Sequence, residues 1–153
     1  MTVPAKPSIP LLEVTIVRVF DAPAAMVFRQ WIEAESLADW FAADTYTTLE
    51  CDVDASPGGR WRMRFRGHGG HTYEEHGSFL EIDAPRRLVL TLVQEDSGHV
   101  GPETTVTVDF AEEGGRTRMT FHQTGFDTPA RRDGNAEGWR GCFDKLARRL
   151  TAI

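Results

Sequence analysis

Arg60-Trp61-Arg62-Met63-Arg64-Phe65-Arg66 alternates arginine with large apolar side chains without a break. At the two-residue period of a β-strand, Trp61, Met63 and Phe65 fall on one face and the four arginines on the other. A strand divided in this way belongs to an antiparallel sheet with one dry and one wet face. The dry face must be covered by a second layer.

Working outward, strand signals continue on both sides. Tyr46 to Val53 reads as a strand ended by Ser56-Pro57-Gly58-Gly59, a turn in which proline fixes one dihedral and glycine permits unusual ones. After Gly67-His68-Gly69-Gly70 come Thr72 to Ile82, the turn at Ala84-Pro85, and a strand phased on Leu88, Leu90 and Leu92. A polar connection, Glu95 to Pro102, leads to Thr104–Phe110, where Val106, Val108 and Phe110 share a phase. The turn at Glu112-Glu113-Gly114-Gly115 precedes a last strand, Thr117 to Thr124, with Met119 and Phe121 on one face.

Upstream, Leu11 to Phe20 is a further strand, but Val17 and Val19 compete with Leu12, Val14 and Ile16 for the inward phase. Asp21-Ala22-Pro23 stops it, and Pro23 suits the first turn of a helix over 24–32 capped by Asp21 or Ala22. A second short helix spans Glu35 to Phe41. The far end of the chain changes period: Thr128-Pro129 reads as cap and first helical residue. Trp139, Cys142, Phe143, Leu146, Leu150 and Ile153 then recur at helical steps over about 20 residues. Gly134, Gly138 and Gly141 weaken that helix. They fit either a flexible opening turn or a close approach to the sheet or a ligand.

The terminal helix is the one long amphipathic element available to cover the sheet. A strongly curved sheet around a single helix encloses space that side chains need not fill. Candidate lining residues are Trp61, Met63, Phe65, Tyr73, Phe79 and Phe110, joined by Met119, Phe121, Trp139 and Phe143. Glu75, in phase with Tyr73, and Gln123 are candidates to orient a polar group of the ligand.

Composition narrows the classes. The 153 residues fit a leader over 1–10 followed by one domain over 11–153. Seventeen basic against 23 acidic residues give a net charge of −6, which argues against nucleic acid as a partner. No apolar run is long enough to insert into a membrane, and residues 1–10 do not read as an export signal. With only Cys51 and Cys142, the reducing cytoplasm is the expected compartment and both cysteines are expected as free thiols. His68, His71 and His76, with Glu74 and Glu75, lack the spacing of a closed metal site. No phosphate loop or nucleophile elbow is present, and no cofactor or catalytic residue is assigned.

Several strings carry a resemblance when taken in order. They are Phe20-Asp21-Ala22-Pro23, Val27-Phe28 with Trp31, Trp40-Phe41, and Asp54 through Gly58-Gly59. Gly77-Ser78-Phe79-Leu80-Glu81-Ile82, Leu88-Val89, Thr117-Arg118-Met119-Thr120 and Gly138-Trp139 with Leu146 follow. Over residues 12 to 152 the chain resembles the family related to the C-terminal domain of the activator of Hsp90 ATPase. That family lies within the START and Bet v 1-like (SRPBCC) helix-grip superfamily. The resemblance implies an α+β helix-grip fold: a curved antiparallel sheet of six or seven strands around a long C-terminal helix, with two short helices after the first strand. Family members commonly carry arginine at the position of Ser56, so a role resting on a guanidinium at that turn is not expected.

These readings converge on noncatalytic binding or transport of a small, largely apolar molecule. Two alternatives stand beside it. One is a stress-associated module with a chaperone or other protein partner, for which Arg60, Arg62, Arg64 and Arg66 would offer a surface. The other is an enzyme acting on a hydrophobic or aromatic substrate. Homodimerisation through a sheet edge or helix face is compatible with either.

Overall fold

The computed structural model describes residues 12–42 and 45–153, the side chain of His68 excepted. The leader expected over 1–10 lies outside the described residues. The architecture is α+β and helix-grip-like. Strand β1 (Glu13–Phe20) is followed by helices α1 (Ala24–Ile32) and α2 (Ala34–Trp40). Strands β2 (Thr47–Val53), β3 (Arg60–Arg66), β4 (Thr72–Asp83) and β5 (Arg87–Asp96) come next. Then follow β6 (His99–Val100), β7 (Thr104–Glu113), β8 (Arg116–Thr124) and the long helix α3 (Pro129–Ala152).

The strands form one antiparallel sheet in the order β1-β8-β7-β5-β4-β3-β2, with the short β6 pairing β5. The first strand therefore closes against the last, pairing Ile16 with Phe121 and Val14 with Gln123. This pairing settles the ambiguous phase of β1. Val14, Ile16 and Phe20 are buried, whereas Val17 and Val19 stay 56% and 45% exposed on the outer face.

The alternation in β3 holds: Trp61, Met63 and Phe65 are buried, each opposite a β4 residue, Gly77, Glu75 and Tyr73 respectively. Residues directly opposite in an antiparallel pair share a face, so Tyr73 and Glu75 point inward with the aromatic row. On the outer face the arginines meet acids. Arg62 pairs with Glu74, and Arg64 reaches Glu50 Oε1 at 2.8 Å.

Two local details differ from expectation, and Gly77 marks a close approach. The cap of α1 is neither Asp21 nor Ala22 but Pro23, which offers no side-chain bond. Instead Glu112 Oε1, at the end of β7, accepts the Ala24 N–H at 2.6 Å. A carboxylate there also suits the positive end of the helix. The connection 95–102 is not simply polar loop, because Ser97 and Gly98 adopt positive φ and fold β6 back onto β5. Gly77 leaves no room for a ligand: a Cβ there would lie 1.8 Å from the Thr91 carbonyl oxygen, which also accepts the Trp61 indole N–H at 3.0 Å.

Helix α3 starts as expected, with the Thr128 hydroxyl accepting the Arg131 N–H. Its apolar side grips the sheet and the short helices through aromatic contacts. Trp139 lies 4.6 Å from Phe121 and 5.6 Å from Phe143 between ring centres, and Trp31 and Trp40 of the short helices complete the layer. Phe41 sits between Trp139 and Trp61, at 5.1 and 5.8 Å. Near its end, Arg149 binds Gln30, Asp39 and Ser36, clamping α3 onto α1 and α2. This arginine is structural.

Candidate functional site

The sheet's inner face and the first half of α3 do not meet everywhere. Between the β4–β5–β6 end of the sheet and α3 lies a cavity of about 320 Å³, flanked by Phe41 and Tyr46. That is the lower end of the range of about 300–1,000 Å³ usual for small-molecule sites.

Its helical wall follows from spacing. Arg131, Asn135, Gly138, Trp139 and Cys142 recur at three- and four-residue steps and so share one side of α3. Gly134 and Gly138 are the informative members. A Cβ built on either meets nothing within 4 Å, so neither is glycine because the sheet comes close. They are places where a side chain would enter open space. Close approach to the sheet is therefore excluded for them, and a flexible opening turn and room beside a ligand both fit the open space.

The opposite wall is polar and cross-braced. Glu75 on β4 faces Gln94 on β5, and Tyr73 faces Asp96. Gln94 Nε2 donates to Glu75 Oε1 at 2.9 Å, while its Oε1 accepts from Asn135 Nδ2 at 3.4 Å. That second bond fixes which end of the amide points at the carboxyl. Burial leaves Glu75 8% exposed and pushes its pKa up from 4.5 to about 7, with the Gln94 bond pulling the other way. Burial, then the neighbouring Glu75, holds the Tyr73 phenol far above the ordinary tyrosine range. Tyr73 stacks on Phe65 at 4.9 Å and meets Tyr46 edge-on at 5.2 Å.

Of the twelve residues singled out from sequence, Tyr73, Glu75 and Trp139 border this cavity. Trp61, Met63, Phe65 and Phe79 lie beneath it as packed core, as do Met119, Phe121 and Phe143. Phe110 is buried against Phe28 at 5.3 Å. Gln123 is fully buried, its amide spent on Thr104 Oγ1 and the Trp139 indole N–H. His71 and His76 do not border the cavity: His71 pairs with Asp96 at 2.6 Å, and His76 reaches Glu95. Among the described residues no group of three or more histidine, cysteine or acidic side chains could hold a metal. Cys142 borders the cavity, its Sγ donating to the Phe41 carbonyl oxygen at 3.2 Å, and Cys51 is a free thiol. No helix among the described residues is long and apolar enough to cross a membrane.

Sequence reading missed Gln94, Asp96, Asn135 and His99. Gln94 and Asp96 extend the Leu88-Leu90-Leu92 phase, a signal that was available. Asn135 stands four residues before Trp139, on the same helical side. His99 enters only because of the β5–β6 hairpin, which no periodicity marked.

Comparison with known proteins bears on this architecture. No curated protein matches the chain. A solved structure from Nitrosomonas europaea is 26% identical, with a TM-score of 0.78 over 92% of this chain and 94% of that one. A protein from Rhizobium leguminosarum is 25% identical, with a TM-score of 0.83 over 92% and 95%. One from Silicibacter pomeroyi, named after an Hsp90-activator-like family, has a TM-score of 0.82 over 92% and 98% at 20% identity, a likeness of fold alone. The model of the family described as activator of Hsp90 ATPase homolog 1-like protein matches residues 21–151. That span takes in both short helices, every strand after β1, the residues around the cavity and all but the last residue of α3, and the chain belongs to the activator of Hsp90 ATPase homolog 1-like family.

Proposed function

We propose that this protein binds a small molecule, apolar in body and polar at one end, in the cavity between β4–β5 and α3, without transforming it. The observation that carries the reading is the pair Gly134 and Gly138, which keep open a helical wall that larger side chains would fill. Glycine costs a helix about 1 kcal/mol relative to alanine, so two such residues on the cavity side favour a use for the space. Phe41, Tyr73 and Trp139 supply apolar contact, and Glu75, Gln94 and Asn135 supply directed polar atoms.

The largely apolar lining expected from sequence becomes, on this reading, a half-polar one. Native mass spectrometry of freshly purified protein tests the reading directly. A retained small molecule is expected in the wild type and absent from Gly138→Leu, whose side chain would occupy the space. A wild type that neither retains a ligand nor takes up any apolar probe at millimolar concentration would sink it.

A protein-partner role resembling Hsp90 activation draws its support from family membership. Against it, Arg62 and Arg64 of the outer arginine row are matched by Glu50 and Glu74. This leaves less uncompensated positive charge than the sequence suggested. Retention of Hsp90 on immobilised protein at low salt discriminates the two readings.

A further inference from the structure

The charged groups around the cavity are not equally occupied. Asp96 is paired with His71 at 2.6 Å, and Arg131 with Asp127 at 2.9 Å. Glu75 has no cation against it among the described residues. Its one partner is the neutral amide of Gln94, which donates to Oε1 and leaves Oε2 without a partner among the described residues.

A carboxylate removed from water and left without a counter-charge is costly, and the cost falls when a cation arrives. The surrounding surfaces suit a cation as well. Tyr73, Tyr46, Phe41 and Trp139 border the same space, and ring faces attract ammonium groups. An anionic ligand would place a second negative charge beside Glu75, and Arg131, the one arginine among the described residues bordering the cavity, has its Nε on Asp127 Oδ1. A neutral ligand would leave the carboxylate as exposed to its own charge as before.

We propose that the ligand is an organic cation, a protonated amine on an aromatic or aliphatic body, with the ammonium at Glu75 and the body against Phe41, Tyr73 and Trp139. This rests on the reading of the cavity as a binding site, and it adds the charge class of what is bound.

Three probes with one indole body separate the claims: tryptamine, indole-3-ethanol and indole-3-propionate. Their binding is measured by isothermal titration calorimetry at pH 8. Tryptamine is expected to bind at least about tenfold tighter than the alcohol, the gain of one charge-assisted hydrogen bond, and the propionate weakest. In Glu75→Gln the amine and the alcohol should fall within about threefold of each other, the alcohol's own affinity holding. Glu137→Gln, which removes an exposed acid from α3, the helix that walls the cavity, should leave the amine preference intact. That control separates the site from general attraction to an acidic protein. If the alcohol or the propionate matches tryptamine on the wild type, the cation assignment is wrong while the cavity reading stands. The same holds if Glu75→Gln keeps the preference. If no probe binds the wild type at millimolar concentration, both fail.

Discussion

Replacing Glu75 by glutamine should make the protein more stable, and by an amount that grows with pH. In the folded chain burial raises the Glu75 pKa from 4.5 to about 7. Below pH 4.5 the carboxyl is protonated in both folded and unfolded chains and adds no pH dependence. Between 4.5 and 7 the unfolded chain releases a proton that the folded chain keeps, so stability falls as pH rises. Above 7 both forms are ionised and the full penalty is felt, about 3 kcal/mol at roughly 1.4 kcal/mol per pH unit.

Glutamine keeps the bond from Gln94 and carries no charge, so it escapes this loss. The wild-type and Glu75→Gln proteins are to be unfolded in urea at pH 4.5 and pH 8.5. The gap between them should widen by about 3 kcal/mol in favour of the variant, or about 6–12 °C in melting temperature for a chain of this size. Taking the difference cancels the other titrating groups unless they couple to Glu75. Those bordering the cavity are Tyr46, Tyr73, Asp96, His99, Arg131 and Cys142, and repeating the comparison in a His99→Gln background checks the histidine. A gap that stays constant within about 0.5 kcal/mol, the usual additivity error, would refute the reasoning. So would a variant less stable than wild type at pH 8.5.

Other substitutions probe the frame around the site. Gly138→Ala should stabilise α3 by about 1 kcal/mol, since its Cβ meets nothing within 4 Å; thermal unfolding reads the gain, while ligand affinity should fall. Gly77→Ala should cost at least about 3 kcal/mol, because its Cβ would strike the Thr91 carbonyl; urea unfolding or loss of soluble yield reports it. Arg149→Met should cost about 1–3 kcal/mol by leaving the buried Gln30 and Ser36 without that partner, with protection of α1 and α2 amides falling in hydrogen exchange.

What the sequence made legible follows from the range of the interaction involved. The β3 face, the Thr128 cap and the Trp139–Leu150 stripe are local, each written within a few residues, and each appears where periodicity put it. The phase of β1 was unreadable because Val17 and Val19 are as apolar as Val14 and Ile16. Only pairing with β8, more than a hundred residues away, sends them outward. The α1 cap was unreadable for the same reason, since its acceptor is Glu112. The candidate site divides similarly. Tyr73 and Glu75 were visible as sharing one face of a strand, but only the register with β3 turns that face inward. Among the large apolar candidates, Tyr73 and Trp139 border the space, while eight others, from Trp61 to Phe143, are buried. An inward position reads the same in sequence whether its side chain packs or lines a space.

The space coincides with two departures from what stability alone would select. A helix that closes a core gains from alanine or leucine at Gly134 and Gly138, and a strand interior gains from an apolar residue at Glu75. Either departure alone reads as tolerated imperfection. Here both border one cavity, from opposite walls, and Asn135 and Gln94 bridge the walls between them. Independent imperfections have no reason to face each other across a hydrogen-bonded bridge. The proposed binding site, which needs room on one side and a fixed acceptor on the other, accounts for both costs at once, where the fold by itself accounts for neither.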